Sequence, residues 1–371
     1  MKRKPIHMFY PFVPESAAGK VVKVLKSRFV GQGPKVDEFE KEFGKKLGLQ
    51  HVIFVNTGTS ALRLALATAG VGPGDEVISP ALTCTATNTP ILEQFATPVF
   101  ADVEYETINI TPNDIEHRIT DKTKAIICVH WAGYPCDMDE ICKIAKDHNL
   151  VIIEDAAHAI RASYKGKPIG SISDFTAFSL QAIKQITTGD GGILSVKDKK
   201  NYESAMRRRW YGIDRAHRKP SVLGHDPTYD VWELGYKYNP NDIAATIGLE
   251  QLKYLDSVIK RRSEIAKRYR DELEKVQGIT LLENKNDRKS ANWLFTMHVD
   301  RRLKFAEMMQ SKGIEVSVVH WRNDKYTVFG PQRKDLPNTN KAHETMISIP
   351  LNMKLTDGDV EYIIKSIKGG W

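Results

Sequence analysis

Between residues 52 and 200 the chain alternates short, almost wholly apolar runs with stretches of helical spacing. HVIFVN leads into TSALRLALATAG, DEVISPA into TATNTPILEQFA, and TPVFADV follows. TKAIICVH then precedes MDEICKIAKDHN, LVIIEDAA comes next, and FTAFSL and GILSV close the series. Runs apolar on both faces must be covered on both faces, and helices between them supply the crossovers that parallel strands need. The pattern therefore predicts an α/β fold, a mainly parallel sheet flanked by helices. At 371 residues there is chain left for a smaller C-terminal α+β domain. Residues 241–276 carry apolar residues at helical spacing through Ile247, Leu252, Leu255 and Val258, which predicts one long bridging helix. Beyond it the sequence predicts a helix over RLKFAEMMQSKG, a strand over IEVSVVH and a closing helix over DGDVEYIIKSIK. The expected division is an N-terminal segment, 1–30, packing with the small domain; a large domain, 31–250; and the small domain, 251–371.

Composition narrows the function classes. No stretch of eighteen apolar residues occurs, so a membrane span is excluded. The opening MKRKPIHMFYPFVP is basic but broken by prolines and a histidine, unlike a signal peptide, and a cytoplasmic location is expected. The net charge of +8 favours anionic partners, and the densest basic patch is MRRRWYGIDRAHRK, residues 206–219. No helix-turn-helix, RNP or zinc-finger pattern accompanies it, so a small anionic substrate is the simpler account and nucleic acid is not expected. The patch is expected either to serve a nucleotide diphosphate or to be a solvated helix face with Arg207 and Arg208 exposed. Of the four cysteines, Cys128, Cys136 and Cys142 fall near His130. Their spacing is looser than that of zinc ligands, which predicts ordinary reduced thiols and no metal.

Open parallel sheets bind ligands beyond the C-terminal ends of their strands, and three polar clusters occupy such positions. In NTGTSA, Gly58 permits close backbone approach, and Thr59 and Ser60 offer hydroxyls beside the free amides of a helix start, a set suited to phosphate. Taken alone, a structural helix cap accounts for it better. In VIIEDAAHA, Glu154 and Asp155 end an apolar run. In FSLQAIKQITTGDGG, Ser179 and Lys184 sit between two apolar runs, and a desolvated lysine there loses proton affinity and becomes an imine-forming nucleophile. Pyridoxal 5'-phosphate needs this whole set: an amine for its aldehyde, a carboxylate to keep its pyridine nitrogen protonated, and amides and hydroxyls for its phosphate.

These residues and their surroundings resemble the sugar aminotransferases of the DegT/DnrJ/EryC1/StrS family, pyridoxal-phosphate enzymes of fold type I. The resemblance runs through GQGPKVDEFEKEF, NTGTSALRLAL, GDEVISPALTCTATN, ADVEYETINI, IIEDAAHAI, FSLQAIKQITTGDGG, GYKYNPNDIAATIGLEQL and SIPLNMKLTDGDVEYII. It implies that Lys184 binds the cofactor and shuttles protons, that Asp155 partners the pyridine nitrogen, and that His158 stands beside the phenolic oxygen. It implies phosphate contacts from Gly58, Thr59 and Ser179, beside the Ser60 hydroxyl already noted in NTGTSA. Lys237 and Asn239, in GYKYN, would reach the phosphate of a neighbouring subunit, making a homodimer with shared sites. His320 and Lys184 would meet the sugar. Where the family commonly stacks an aromatic residue on the cofactor ring, this chain has Cys84, which packs less area.

The implied reaction moves an amino group from L-glutamate to a nucleotide-linked keto-deoxysugar for surface polysaccharide or glycan synthesis. EDAAHAI, QAIK and GYKYN point to amination at C4, as in enzymes making perosamine, viosamine or 4-amino-arabinose. The alternatives are amination at C3, whose enzymes more often carry glutamine at position 158, and a sugar dehydratase. The dehydratase branches replace the lysine with histidine or add an iron–sulfur cluster, and this chain does neither. A cofactor-binding regulator without turnover would have no need of both Lys184 and Asp155.

Overall fold

The computed structural model describes residues 4–215, 217–224 and 229–371. Seven strands form one sheet: β1 (Val52–Val55), β2 (Glu76–Pro80), β3 (Thr97–Ala101), β4 (Thr123–Val129), β5 (Val151–Asp155), β6 (Phe175–Ser179) and β7 (Gly192–Val196). Their order is β1-β7-β6-β5-β4-β2-β3. The pairs from β3 through β6 are parallel, and β7 runs antiparallel to both β6 and β1. Side chains alternate across this sheet. Phe54 and Phe178 go to one face, where Phe39 and Phe43 of helix Pro34–Leu47 meet them. Ile53, Val55 and Phe175 go to the other, where Leu62, Leu64 and Leu66 of helix Gly58–Thr68 cover them. Each such buried side chain contributes about 1.5–3 kcal/mol, so the two faces together hold the strand ends rigidly. The predicted mainly parallel, two-faced sheet is what forms.

A second sheet is antiparallel, in the order β8 (Ile279–Leu281), β9 (Phe295–Val299), β10 (Met346–Ile349). Tyr269 and Leu273 of helix Leu255–Leu273, Phe305 of helix Arg302–Ser311 and Ile363 of helix Asp357–Lys368 build its core. Ile6 joins that core and bridges to Ile314, whereas helix Glu15–Ser27 lies on helix Asp242–Leu252, where Ser16 donates to Glu250 at 2.7 Å.

Two expected elements differ. The single helix over 241–276 is two, Asp242–Leu252 and Leu255–Leu273, separated by a turn at Lys253 and Tyr254. The break re-aims the chain: Ala245, Leu252 and Leu255 belong to the large core, and Ile265 onward to the small one. The expected strand IEVSVVH does not form. Ile314 and Ser317 make isolated bridges, and Val319 then takes φ 63°, a left-handed conformation that ends extended pairing. This departure carries His320 away from the small sheet.

The basic patch is also less exposed than expected. Arg207 and Arg208 are partly buried, with side chains 20% and 23% exposed, and both pair with Glu233. Arg209 is buried against Glu40 and the Phe54 carbonyl. Two carboxylates, Glu233 shared by Arg207 and Arg208 and Glu40 with Arg209, thus offset part of the patch's charge inside the chain.

Candidate active site

The first piece of the site is the start of helix Gly58–Thr68, directly after β1. Thr57 caps it, its hydroxyl accepting from the Ser60 amide at 2.9 Å and donating to the Ser60 hydroxyl at 2.9 Å. Both polar groups of Ser60 are therefore engaged, and Ser60 lies behind the cavity, not on its wall. The cap reading and the ligand reading both apply, to different residues. Thr57 is the cap, while Gly58 and Thr59, whose amides lie ahead of the first intrahelical bond, line the cavity. Ser179, at the end of β6, lies against Gly58: a Cβ on Gly58 would come 3.0 Å from the Ser179 Cβ. Only glycine leaves that gap open.

The second piece is the end of β5. Strand alternation sends Glu154 and Asp155 to opposite faces. Glu154 enters a buried network with His130 at 2.8 Å, Ser173 at 2.6 Å and Thr176 at 2.9 Å. The Cys136 amide donates to the other His130 nitrogen at 3.1 Å, and the Cys136 thiol donates to the Val129 carbonyl. These groups are spent on one another. No group of three or more His, Cys, Asp or Glu among the described residues is arranged to hold a metal ion. Asp155 instead faces the cavity, accepting from the Thr87 hydroxyl at 2.7 Å and the Ala157 amide at 3.1 Å. Burial raises its carboxyl above the ordinary value, partly offset by those two donors and by Lys184.

The third piece is Lys184, on the loop between β6 and β7. Its Nζ lies 3.6 Å from the centre of the Trp293 ring. Burial pushes its ammonium down to about 8, against the opposing pull of Asp155 and Cys84. In the cofactor-free chain, acetic anhydride labelling of Lys184 should therefore rise with a midpoint near pH 8, where surface lysines remain protonated and slow. A midpoint above 10 would contradict this.

Around the lysine stands a ring cluster. His158 stacks on Trp293 at 3.8 Å, and His320 lies parallel to His158 at 5.5 Å. Burial keeps both histidines neutral: His158 falls well below its ordinary value and His320 falls to about 3. The Nδ1 of His158 and Nε2 of His320 are buried without a hydrogen-bond partner in the chain. Such orphaned atoms are costly unless a ligand meets them.

Gly58, Thr59, Cys84, Asp155, His158, Ser179, Lys184 and His320 thus line one cavity of about 340 Å³. Clefts of about 1030 Å³ lie elsewhere, and lysines on their walls are engaged in ion pairs, Lys35 with Glu38 in one and Lys46 with Asp256 in the other. Cys84 sits at the start of helix Thr85–Glu93. Lys237 and Asn239 do not line the cavity of their own chain, and Lys237 instead packs its ammonium 3.4 Å from the Trp210 ring centre. Sequence reasoning missed Trp293 and Thr87. Trp293 carries no acid–base chemistry and lies outside every motif singled out in the sequence. Thr87, within GDEVISPALTCTATN, reads only as a helix residue.

The donor set fits pyridoxal phosphate. Open amides and the Ser179 hydroxyl suit a dianion, a buried carboxylate suits a pyridinium, and a depressed lysine suits an aldehyde. The orphaned histidine nitrogens await a polar partner.

Comparison with known proteins agrees. The model of the DegT/DnrJ/EryC1/StrS aminotransferase family matches residues 13–368. Spore coat polysaccharide biosynthesis protein SpsC of Bacillus subtilis is 37% identical over 96% of this chain and 95% of its own. The UDP-4-amino-4-deoxy-L-arabinose–oxoglutarate aminotransferase of Shewanella sediminis is 34% identical over 96% of both chains. The crystal structure of a sugar aminotransferase from Micromonospora echinospora superposes with a TM-score of 0.94 at 34% identity, covering 99% of this chain and all of that one. The chain belongs to the DegT/DnrJ/EryC1/StrS aminotransferase family and is a pyridoxal-phosphate-dependent aminotransferase of fold type I.

Proposed function

We propose that this enzyme transfers an amino group from L-glutamate to C4 of a nucleotide-linked keto-deoxysugar, in the cytoplasm, for a surface polysaccharide or glycan. The observation that carries the reading is the convergence of Lys184, Asp155 and the Gly58–Ser179 cradle on one cavity. The likeness to a 4-amino-4-deoxy-L-arabinose aminotransferase over nearly the whole chain supports C4.

Pyridoxal phosphate, when bound, supplies an electron sink and a temporary store for the amino group. The chain's own residues do the rest. Gly58 and Thr59 amides and the Ser179 hydroxyl hold the phosphate. Asp155, fixed by Thr87 and the Ala157 amide, keeps the pyridine nitrogen protonated. Lys184 would hold the cofactor through Nζ; once the donor's amino group displaces it, the freed amine would take a proton from the donor's carbon, and in the second half-reaction it would deliver a proton to the sugar's carbon. His158, neutral and orphaned at Nδ1, hydrogen-bonds the phenolic oxygen, and His320 orients the sugar. Lys237 and Asn239 act across a homodimer, on the partner's phosphate.

The deciding experiment supplies purified enzyme, cofactor and glutamate with UDP-, GDP- and dTDP-linked keto sugars, and reads the product by NMR. Nitrogen on C4 is expected. Nitrogen on C3 would overturn the regiochemistry and leave the aminotransferase assignment standing.

A further inference from the structure

We propose that Trp293 is the positioning residue for Lys184, its indole face holding the reacting amine while its N–H anchors the loop that carries that amine. The inference rests on the reading of Lys184 as the reacting amine. Three contacts, made by different parts of one side chain, lead to it. The Lys184 Nζ sits 3.6 Å from the ring centre, a cation–π distance. The indole nitrogen donates to the Ile183 carbonyl at 3.0 Å, at the residue just before the lysine. The same ring stacks on His158 at 3.8 Å with planes 20° apart. One rigid group therefore fixes the loop, the amine and the histidine relative to one another.

The indole is itself well held. It is 1% exposed, and Phe9 stacks on it at 5.6 Å with planes 24° apart. Its backbone amide donates to Ala132 at 2.8 Å, and its carbonyl accepts from Arg262 at 3.1 Å. Residue 293 lies two positions before β9, so the platform for a large-sheet lysine is delivered by the strand that begins the small sheet's central ladder. Small-sheet position and lysine position are thereby coupled through one ring.

The charge logic gives a measurable sign. Groups facing the amine are Asp155 from β5, Cys84 from the start of helix Thr85–Glu93, and the neutral rings of His158 and His320. Asp155, Cys84 and the indole face all favour the charged amine, and burial disfavours it. Weakening the indole face while burial stays must lower the pH at which Lys184 loses its proton.

The test uses the full-length, cofactor-free chain and reads acetic anhydride labelling of Lys184 against pH by peptide mass spectrometry. Trp293→Phe, which keeps a ring face but loses the donor to the Ile183 carbonyl, should shift the midpoint less than the Met variant does while lowering kcat of the reconstituted enzyme. Trp293→Met, which fills the space without a ring face, should lower the midpoint by on the order of 0.5–1 unit. It should also cut kcat of the reconstituted enzyme about 10- to 100-fold, with KM for glutamate little changed. Should the Met variant not fold, mono- to tetrafluorotryptophan placed at 293 keeps the shape and progressively removes the ring's negative face. The midpoint should then step downward with each added fluorine. A midpoint indifferent to fluorination, or a Phe variant shifted as far as Met, would overturn the proposal. Failure of the underlying reading would show differently, as cofactor capture away from Lys184 in the parent chain.

Discussion

Lys184→Ala is expected to fold, to bind pyridoxal phosphate without a covalent link, and to lose turnover by at least about 10²- to 10⁴-fold, the range for a missing general base alone. The size follows from the environment. With its ammonium pushed down to about 8, roughly one amine in ten is neutral at pH 7, against about one in three thousand for an unperturbed lysine. No neighbour replaces it. His158 and His320 line the same cavity, but burial lowers the proton affinity of both, His320 to about 3, and both rings are stacked beside Trp293. Borohydride reduction of the parent enzyme followed by peptide mapping checks the assignment. Cofactor trapped on another lysine, or normal turnover by the Ala variant, would remove Lys184 from the mechanism.

Asp155→Asn is expected to separate electronics from binding. The amide keeps the shape and still accepts from the Ala157 amide, so cofactor affinity should fall modestly. A neutral amide cannot hold a pyridine nitrogen protonated, and the glutamate half-reaction should slow by about 10²- to 10³-fold, the cost of removing one preorganised charge at a reacting centre. Stability should move the other way. In the cofactor-free chain burial raises the Asp155 carboxyl above its ordinary value. Its favourable contribution to folding is present below the unfolded value and is lost as pH rises through the folded one. The cost of burying the parent's carboxylate is thus only partly offset by Thr87, the Ala157 amide and Lys184. The Asn variant without cofactor should melt at the same temperature or higher. A variant that melts much lower, or that transaminates at near-parental rates, would show Asp155 to be a structural residue.

What could be read in the sequence follows from how local each signal is. The strands of the large sheet are runs buried on both faces, and such runs stay apolar whatever they pair with. Even so, the antiparallel β7 reads no differently from its parallel neighbours, because pairing direction leaves no mark on a fully buried strand. The helix break at Lys253–Tyr254 was hidden for a related reason. Leu252, Leu255 and Val258 keep helical spacing across the turn, and only the need to serve two cores separates Asp242–Leu252 from Leu255–Leu273. In IEVSVVH the β-branched residues announced a strand, but Val319 adopts a left-handed conformation that its propensity disfavours, and tertiary placement of His320 prevails.

The chemistry divides along the same line. Gly58, Asp155, Ser179 and Lys184 stand at strand ends, and their residue types and order along the chain were enough to suggest one cofactor. That they meet in a single cavity is a property of the sheet order, which brings β1, β5 and β6 to one edge through β7. Ser60 looked like Thr59 until the Thr57 cap claimed both of its polar groups. Trp293 and Thr87 were invisible because their roles are relational: an indole matters here only by facing Lys184, and a threonine only by reaching Asp155 across 68 positions of chain. The sequence by itself determined the sheet-forming runs and the reactive groups, since apolarity and functional chemistry are carried by each residue. Only the tertiary structure decided which groups share a cavity, which are spent on one another, and what holds the reacting amine. Those depend on distances between segments far apart in the chain.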